Sequence, residues 1–152
     1  MFHVVLVEPT IPPNTGNVGR LCIATRSRLH LVKPLGFDIS EKAVRRAGLD
    51  YWKHVDLRLH ESYSEFRASL PADARLFFFT KFATQTLYEA KFHPGDYLVF
   101  GKETTGLPAE IHEKEKNLLR IPMPGSDIVR SLNLAGSVHV ALYEALRQTN
   151  FV

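Results

Sequence analysis

Short apolar runs of strand length alternate with helical patterns along almost the whole chain, and this alternation restricts the fold more than any other feature. Val4 to Val7 reads as a buried strand, after which Asn14 is expected to cap a helix to about Arg26 with Val18, Leu21, Cys22 and Thr25 on one stripe. Leu29 to Val32 is the next strand. Ser40 and Glu41 open a short helix that finishes with Arg45, Arg46 and Gly48, an arrangement that suits the helix dipole. Val55 to Leu59 alternates apolar and charged side chains, the pattern of a half-exposed edge strand. Ser62 to Glu65 reads as a capping box for a helix to Leu70, and Leu76 to Thr80, Tyr97 to Phe100 and Leu118 to Ile121 are further strands. Pro108 stands at a helix start ahead of Ala109 to Glu115, and a final helix is expected from Ser131 to about Gln148. Repeating units of this size predict an α/β fold, a mostly parallel sheet flanked by helices.

With 152 residues, of which 45% are hydrophobic, the chain can bury a substantial core, and no shift in composition marks a boundary, so a single domain over 1–152 is expected. Cys22 is the only cysteine, which excludes an intrachain disulfide. The start, Met1 to Val5, carries no basic leader and no window approaches a membrane span, so a soluble, cytoplasmic protein is expected. Net charge is +3, but residues 1 to 60 hold nine Lys/Arg against five Asp/Glu, while residues 61 to 152 hold ten against eleven. Arg20, Arg26, Arg28, Lys33, Arg45, Arg46, Lys53 and Arg58 make up the excess, either as a solvated basic face or as a track for a phosphate backbone.

Three loops at strand ends carry glycine, asparagine and small polar residues: Pro12 to Arg20, Phe100 to Pro108, and Ile121 to Asn133. Together they predict a ligand site made from backbone at one sheet edge rather than a metal cage. Familiar alternatives fail on spacing. Around Gly101-Lys102 a phosphate-binding loop would need glycine at Asp96 and Ser or Thr at Glu103. Asn14-x-Gly16-x-x-Gly19 resembles a dinucleotide fingerprint with Asn for its first glycine, yet Lys33-Pro34 stands where the ribose-binding acid belongs. A nicotinamide-dinucleotide oxidoreductase is therefore the lesser alternative. The histidines have no paired ligand spacing and there is no Gly-x-Ser-x-Gly, so metal and serine hydrolysis drop out.

The last helix is apolar around much of its circumference. Leu134, Val138, Ala141, Leu142 and Ala145 form one stripe, while Leu132, Val140, Tyr143 and Leu146 spread beyond it. A second cover is needed, either from the rest of the chain or from a partner subunit.

Taken together, these motifs resemble the SPOUT class of RNA methyltransferases, and within it the small tRNA (cytidine/uridine-34) 2′-O-methyltransferase family. The resemblance runs over essentially the whole chain. It is carried by Glu8-Pro9, Ile11 to Asn17, Arg20-Leu21-Cys22, Arg45 to Tyr51, Phe100-Gly101, Glu103-Thr104, Gly106-Leu107-Pro108, Ile121-Pro122-Met123, Arg130 to Leu134 and Tyr143-Glu144-Ala145. Each motif is weak alone; their joint order and spacing is specific. Two positions depart from the family pattern, Phe82 for a small residue and Ala135-Gly136-Ser137 for a more polar run. The resemblance implies a C-terminal deep trefoil knot, a homodimer, and transfer of a methyl group from S-adenosylmethionine to the wobble ribose, cytidine or uridine 34, in the anticodon stem-loop of tRNA. An RNA-binding or assembly factor that keeps the knotted fold without turnover is the alternative from another class.

Methyl transfer from sulfonium to a hydroxyl is an in-line displacement that needs orientation and deprotonation more than a metal. By similarity, Phe79, Thr80, Gly101, Ile121, Met123, Ser131 and Leu132 are expected to hold the cofactor, and Glu103 to pin its own loop. By the same resemblance Arg20 is the leading catalytic residue, with Asn14 positioning its loop and Asn133 or Ser131 assisting from the last helix. Arginine stays protonated, so Arg20 is expected to stabilise the developing alkoxide or bind phosphate, with RNA phosphate or water taking the proton.

Overall fold

The structure, a computed structural model, describes residues 1–152. Its strands are β1 (His3–Val7), β2 (Arg28–Val32), β3 (Leu57–His60), β4 (Leu76–Phe79), β5 (Tyr97–Phe100) and β6 (Leu118–Leu119). They form one sheet in the order β3-β2-β1-β5-β4-β6, and every pairing is parallel. The helices are α1 (Pro12–Ala24), α2 (Glu41–Arg46), α3 (Tyr63–Ala68), α4 (Ala109–Lys114) and α5 (Leu134–Gln148). No helix is long and apolar enough to cross a membrane.

Alternation along the central strands divides the core between the two faces of the sheet. Val4, Leu6, Leu29, Leu31, Phe77, Phe79, Leu98 and Phe100 face α1 and α5, meeting Val18, Leu21, Cys22, Val138, Ala141 and Leu142. Val5, Val7, Val32, Phe78 and Val99 point the other way, toward Phe66 of α3 and Ile111 of α4. β3 is an edge strand, as its alternation predicts, and Arg58 and Leu59 are exposed on it. In α5 the stripe from Leu134 to Ala145 is buried, and so is Leu146. Leu132, Val140 and Tyr143 remain between 38% and 49% exposed, so the chain itself does not cover the outer face of this helix.

Several helix starts differ from expectation. α1 begins at Pro12, whose ring and that of Pro13 suit the first helical turn, and Asn14 lies inside the helix rather than capping it. The cap of α5 is Asn133, whose Oδ1 accepts from the Gly136 N–H at 3.1 Å; Ser131 lies ahead of the helix. Ser62 accepts from the Glu65 N–H at 3.1 Å, but the Glu65 carboxylate accepts from Glu61, so the reciprocal half of the box is displaced by one residue. Pro108 is the cap of α4 rather than its first helical residue.

Three histidines on neighbouring strands form a ladder that only the register creates. His3 Nδ1 lies 3.0 Å from His30 Nε2, and His30 Nδ1 lies 3.0 Å from His60 Nε2. Tyr97 stacks on His3, while Phe66 meets His30 and His60 edge-on. Burial, followed by the charges of Arg28 and the N-terminus, lowers His3 to about 4 against the pull of Asp56. Burial, then the neighbouring His3 and His60 rings, Arg28 and Arg58, lowers His30 to about 3. Burial also lowers His60, with Glu65 opposing. Unfolded histidines bind protons near pH 6.5, so the neutral ladder's stability is intact above that value and is lost as pH falls toward 4 and 3. Urea unfolding between pH 7 and pH 4 is expected to show stability falling with pH, with a shallower dependence in His30→Asn. Equal slopes in the two proteins would remove the ladder from the acid response.

Candidate active site

β1 and β5 lie side by side at the centre of the sheet, the chain leaves them in different directions, and the crevice beyond their carboxyl ends is where an open parallel sheet takes ligands. The three predicted loops meet beside it. The cavity itself opens beyond β4, β5 and β6, and the Pro12 to Arg20 loop contributes no lining residue. About 460 Å³ in volume, it is lined by Phe79, Thr80, Gly101, Ile121, Met123, Ser131 and Leu132, all seven of the residues expected to hold a cofactor. Phe82, Phe100, Leu107, His112 and Leu134 also line it; Phe100 and Leu107 belong to a loop singled out from the sequence, whereas the place of His112, on α4, had no sequence signal. Phe79 and Phe100, paired across β4 and β5, stack at 4.7 Å beneath it. No group of three His, Cys, Asp or Glu side chains is placed to hold a metal ion.

Gly101 has no room for a side chain. A Cβ there would lie 2.0 Å from the Gly106 carbonyl carbon and 2.1 Å from the Leu107 nitrogen. The loop closes on itself through Lys102 N–H to Gly106 O at 3.2 Å and Gly106 N–H to Lys102 O at 2.9 Å, with Gly106 at φ 70°. Such a turn favours glycine at its left-handed position.

Glu103 pins its loop, as the sequence suggested, and does so by tying it to the start of α1. Its carboxylate accepts from the Thr10 N–H and hydroxyl, each at 2.8 Å, from the Ile11 N–H at 3.0 Å and from Asn14 Nδ2 at 3.4 Å. Burial pushes the Glu103 carboxyl up, but the bonds from Thr10, its own backbone and Ile11 outweigh it and hold the group below the usual range. Asn14 continues the relay, since its Oδ1 accepts from Asn133 Nδ2 at 3.0 Å. The carboxylate, the two amides and the first turn of α5 thus join all three loops.

Arg20 stands apart from this cavity. It lines a second hollow of about 570 Å³ on the outer face of α1 and α5, with Asn17, Asn133, Gly136, His139 and Tyr143 among the lining residues. The structure therefore joins Asn14 to Asn133 and sets Asn133 beside Arg20 in this second hollow, while none of the three lines the cofactor cavity of its own chain. Much of the basic cluster is already paired: Arg28 and Arg58 with Asp56, Lys33 with Glu61, Arg45 with Glu41. Arg20, Arg26, Arg46 and Lys53 have no ion pair.

The glycines of the dinucleotide-like motif are used for packing. Gly16 faces Leu49 and its carbonyl accepts from the Tyr51 hydroxyl at 3.1 Å. Gly19 faces Trp52, where a Cβ would come within 2.5 Å of the indole. The chain's own segment occupies the surface on which a pyrophosphate would have to lie.

A family profile described as the SpoU rRNA Methylase family matches residues 1–143. The chain belongs to the SpoU methylase family. Among its relatives is a protein of Burkholderia ambifaria named tRNA (cytidine(34)-2′-O)-methyltransferase, 47% identical over 99% of this chain and 97% of the relative. A protein of the same name from Acidovorax is 46% identical over 100% of this chain and 94% of its own. A solved structure described as giving structural insights into the 2-OH methylation of C/U34 on tRNA superposes with a TM-score of 0.91 at 53% identity, covering 99% of this chain and 97% of that one. The SpoU methyltransferase AviRb of Streptomyces viridochromogenes, solved in complex with the cofactor AdoMet, gives 0.80 at 25% identity over 97% of this chain and 57% of the other. The SpoU fold thus extends over nearly all of the chain.

Proposed function

We propose that the protein transfers a methyl group from S-adenosylmethionine to the ribose 2′-hydroxyl of nucleotide 34, cytidine or uridine, in the anticodon stem-loop of tRNA. The observation that carries this reading is the cavity formed by the loops that follow β4, β5 and β6, in a chain 47% identical over nearly its full length to proteins named for that reaction. Its volume of about 460 Å³ falls within the range of cofactor sites. The Phe79, Ile121 and Leu134 walls suit an adenine ring, and Gly101 leaves the backbone bare for close approach. When bound there, the cofactor supplies an electrophilic methyl group on sulfonium.

The protein's part is to orient and to stabilise charge. Glu103, Asn14 and Asn133 hold the loops in fixed relation, which preserves the alignment an in-line displacement requires. Arg20 offers a permanent cation to the ribose oxygen as its proton leaves. Because Arg20 lies on the outer face of α1 and α5, beside the exposed Tyr143, the working unit is a homodimer in which that face meets a second copy. Arg20 then serves the partner's cavity. The uncovered apolar surface of α5 supports this arrangement.

The reading includes a single domain over 1–152 whose last helix passes through a preceding loop as a deep trefoil knot, supported by the full-length likeness to SpoU methyltransferases. The reaction calls for no metal, and its place is the cytoplasm, with the tRNA. Incubation with S-adenosylmethionine and tRNA in the presence of a chelator, followed by mapping of ribose methylation, is expected to place one methyl group at nucleotide 34. Binding of tRNA without methyl transfer would instead favour an RNA-binding or assembly factor.

A further inference from the structure

Phe82 is an apolar ring that the fold holds out at the rim of a cavity instead of burying. It is 71% exposed, although it lines the same hollow as Gly101 and Met123. Its position is fixed from behind. The Phe82 N–H donates to Thr80 Oγ1 at 3.3 Å, and Thr80 Oγ1 lies 2.8 Å from His112 Nε2. The His112 ring meets Phe82 edge-on at 5.8 Å and 81°. The Lys81 ammonium lies over one face of the ring, 5.3 Å from its centre, which leaves the opposite face for stacking. Lys81 has no carboxylate partner, so its charge is free for an incoming anion.

An exposed aromatic ring with an unpaired cation beside it matches one nucleotide of a single-stranded segment, the base stacking on the ring and the phosphate meeting the ammonium. We infer that Phe82 is a stacking platform for an unpaired base of the RNA substrate, with Lys81 taking a flanking phosphate. The inference rests on the methyltransferase reading above and adds an RNA-binding subsite to it. The cofactor's adenine is the other flat ring that could approach. Phe79, Ile121 and Leu134 already provide buried or half-buried walls for it, whereas Phe82 faces solvent.

The test measures RNA and cofactor affinity separately in the full-length protein. Phe82→Ala is expected to weaken binding of a tRNA anticodon stem-loop by roughly tenfold, while calorimetric affinity for S-adenosylhomocysteine changes less than about twofold. Phe82→Trp is expected to retain RNA binding, and the added indole's fluorescence should be quenched by RNA. Lys81→Ala should reduce the slope of log affinity against log salt by about one. Unchanged RNA affinity in Phe82→Ala would overturn the inference, and so would a parallel loss of cofactor affinity, which would assign the ring to adenine. If wild-type protein binds RNA in a Phe82-dependent way yet transfers no methyl group, the stacking subsite stands and the methyltransferase reading fails.

Discussion

Arg20→Ala is expected to lower single-turnover methyl transfer by roughly 10² or more while leaving cofactor affinity nearly unchanged, the result of removing a cation that acts on charge developing in the transition state. Cofactor affinity should survive because Arg20 is absent from the cavity lining. The same separation allows a sharper experiment. Ser131→Trp, which places an indole in the cavity, should also abolish turnover. If Arg20 serves the partner's cavity, mixing the two inactive proteins under subunit exchange restores activity, because each heterodimer contains one intact cavity opposite one intact Arg20. Failure to regain activity in verified heterodimers would return Arg20 to its own chain's site. Full activity of Arg20→Ala at saturating tRNA would remove it from the chemistry altogether.

Gly101→Ala is expected to be the most damaging single methyl group in the molecule. The added carbon would overlap the backbone of Gly106 and Leu107 at 2.0 and 2.1 Å, and a main chain held by two reciprocal hydrogen bonds has no rotamer with which to yield. A loss of about 4 kcal/mol or more is anticipated. That corresponds to a drop of about 10 °C or more in Tm for a chain of this size. Residual folded protein should not bind S-adenosylhomocysteine in calorimetry. Gly125→Ala is the control, since a Cβ there meets nothing within 4 Å and Tm should hardly move. Similar behaviour of the two variants would show that the loop can open, and the account of the cavity would need revision.

The strand order could not be read from the chain, but most of the strands could, because each sits in the sheet's interior as a short unbroken apolar run. Patterns were misread where a local signal was answered from far away. Asn14 has the chemistry of a helix cap, yet the donors ahead of α1 are met by Glu103, 93 residues beyond Thr10. Sequence spacing gives no sign of that bond. Ser131 was the expected start of the last helix, but the bond from the Gly136 N–H to Asn133 Oδ1 puts the cap two residues later. One local signal was available and missed: Thr86 and Glu89 form a full capping box around the short turn at Leu87–Glu89. The cavity lining was legible through the loops' glycines and small polar residues. The separation of Arg20 was not, since it depends on which side of α1 faces the sheet.

The earliest-made of the six strands is one of the two in the middle. β1 is complete at Val7, but one of its two neighbours, β5, begins only at Tyr97. During synthesis at roughly 5 to 20 residues per second, that edge of β1 waits on the order of 5 to 20 s for its partner. Until then Val4, Leu6 and their neighbours are half-covered, and the parallel pairing that finally protects them is of the slow, long-range kind. The nascent chain is consequently at its most aggregation-prone in the middle of translation, when a holdase that covers apolar strands would have its greatest effect on yield.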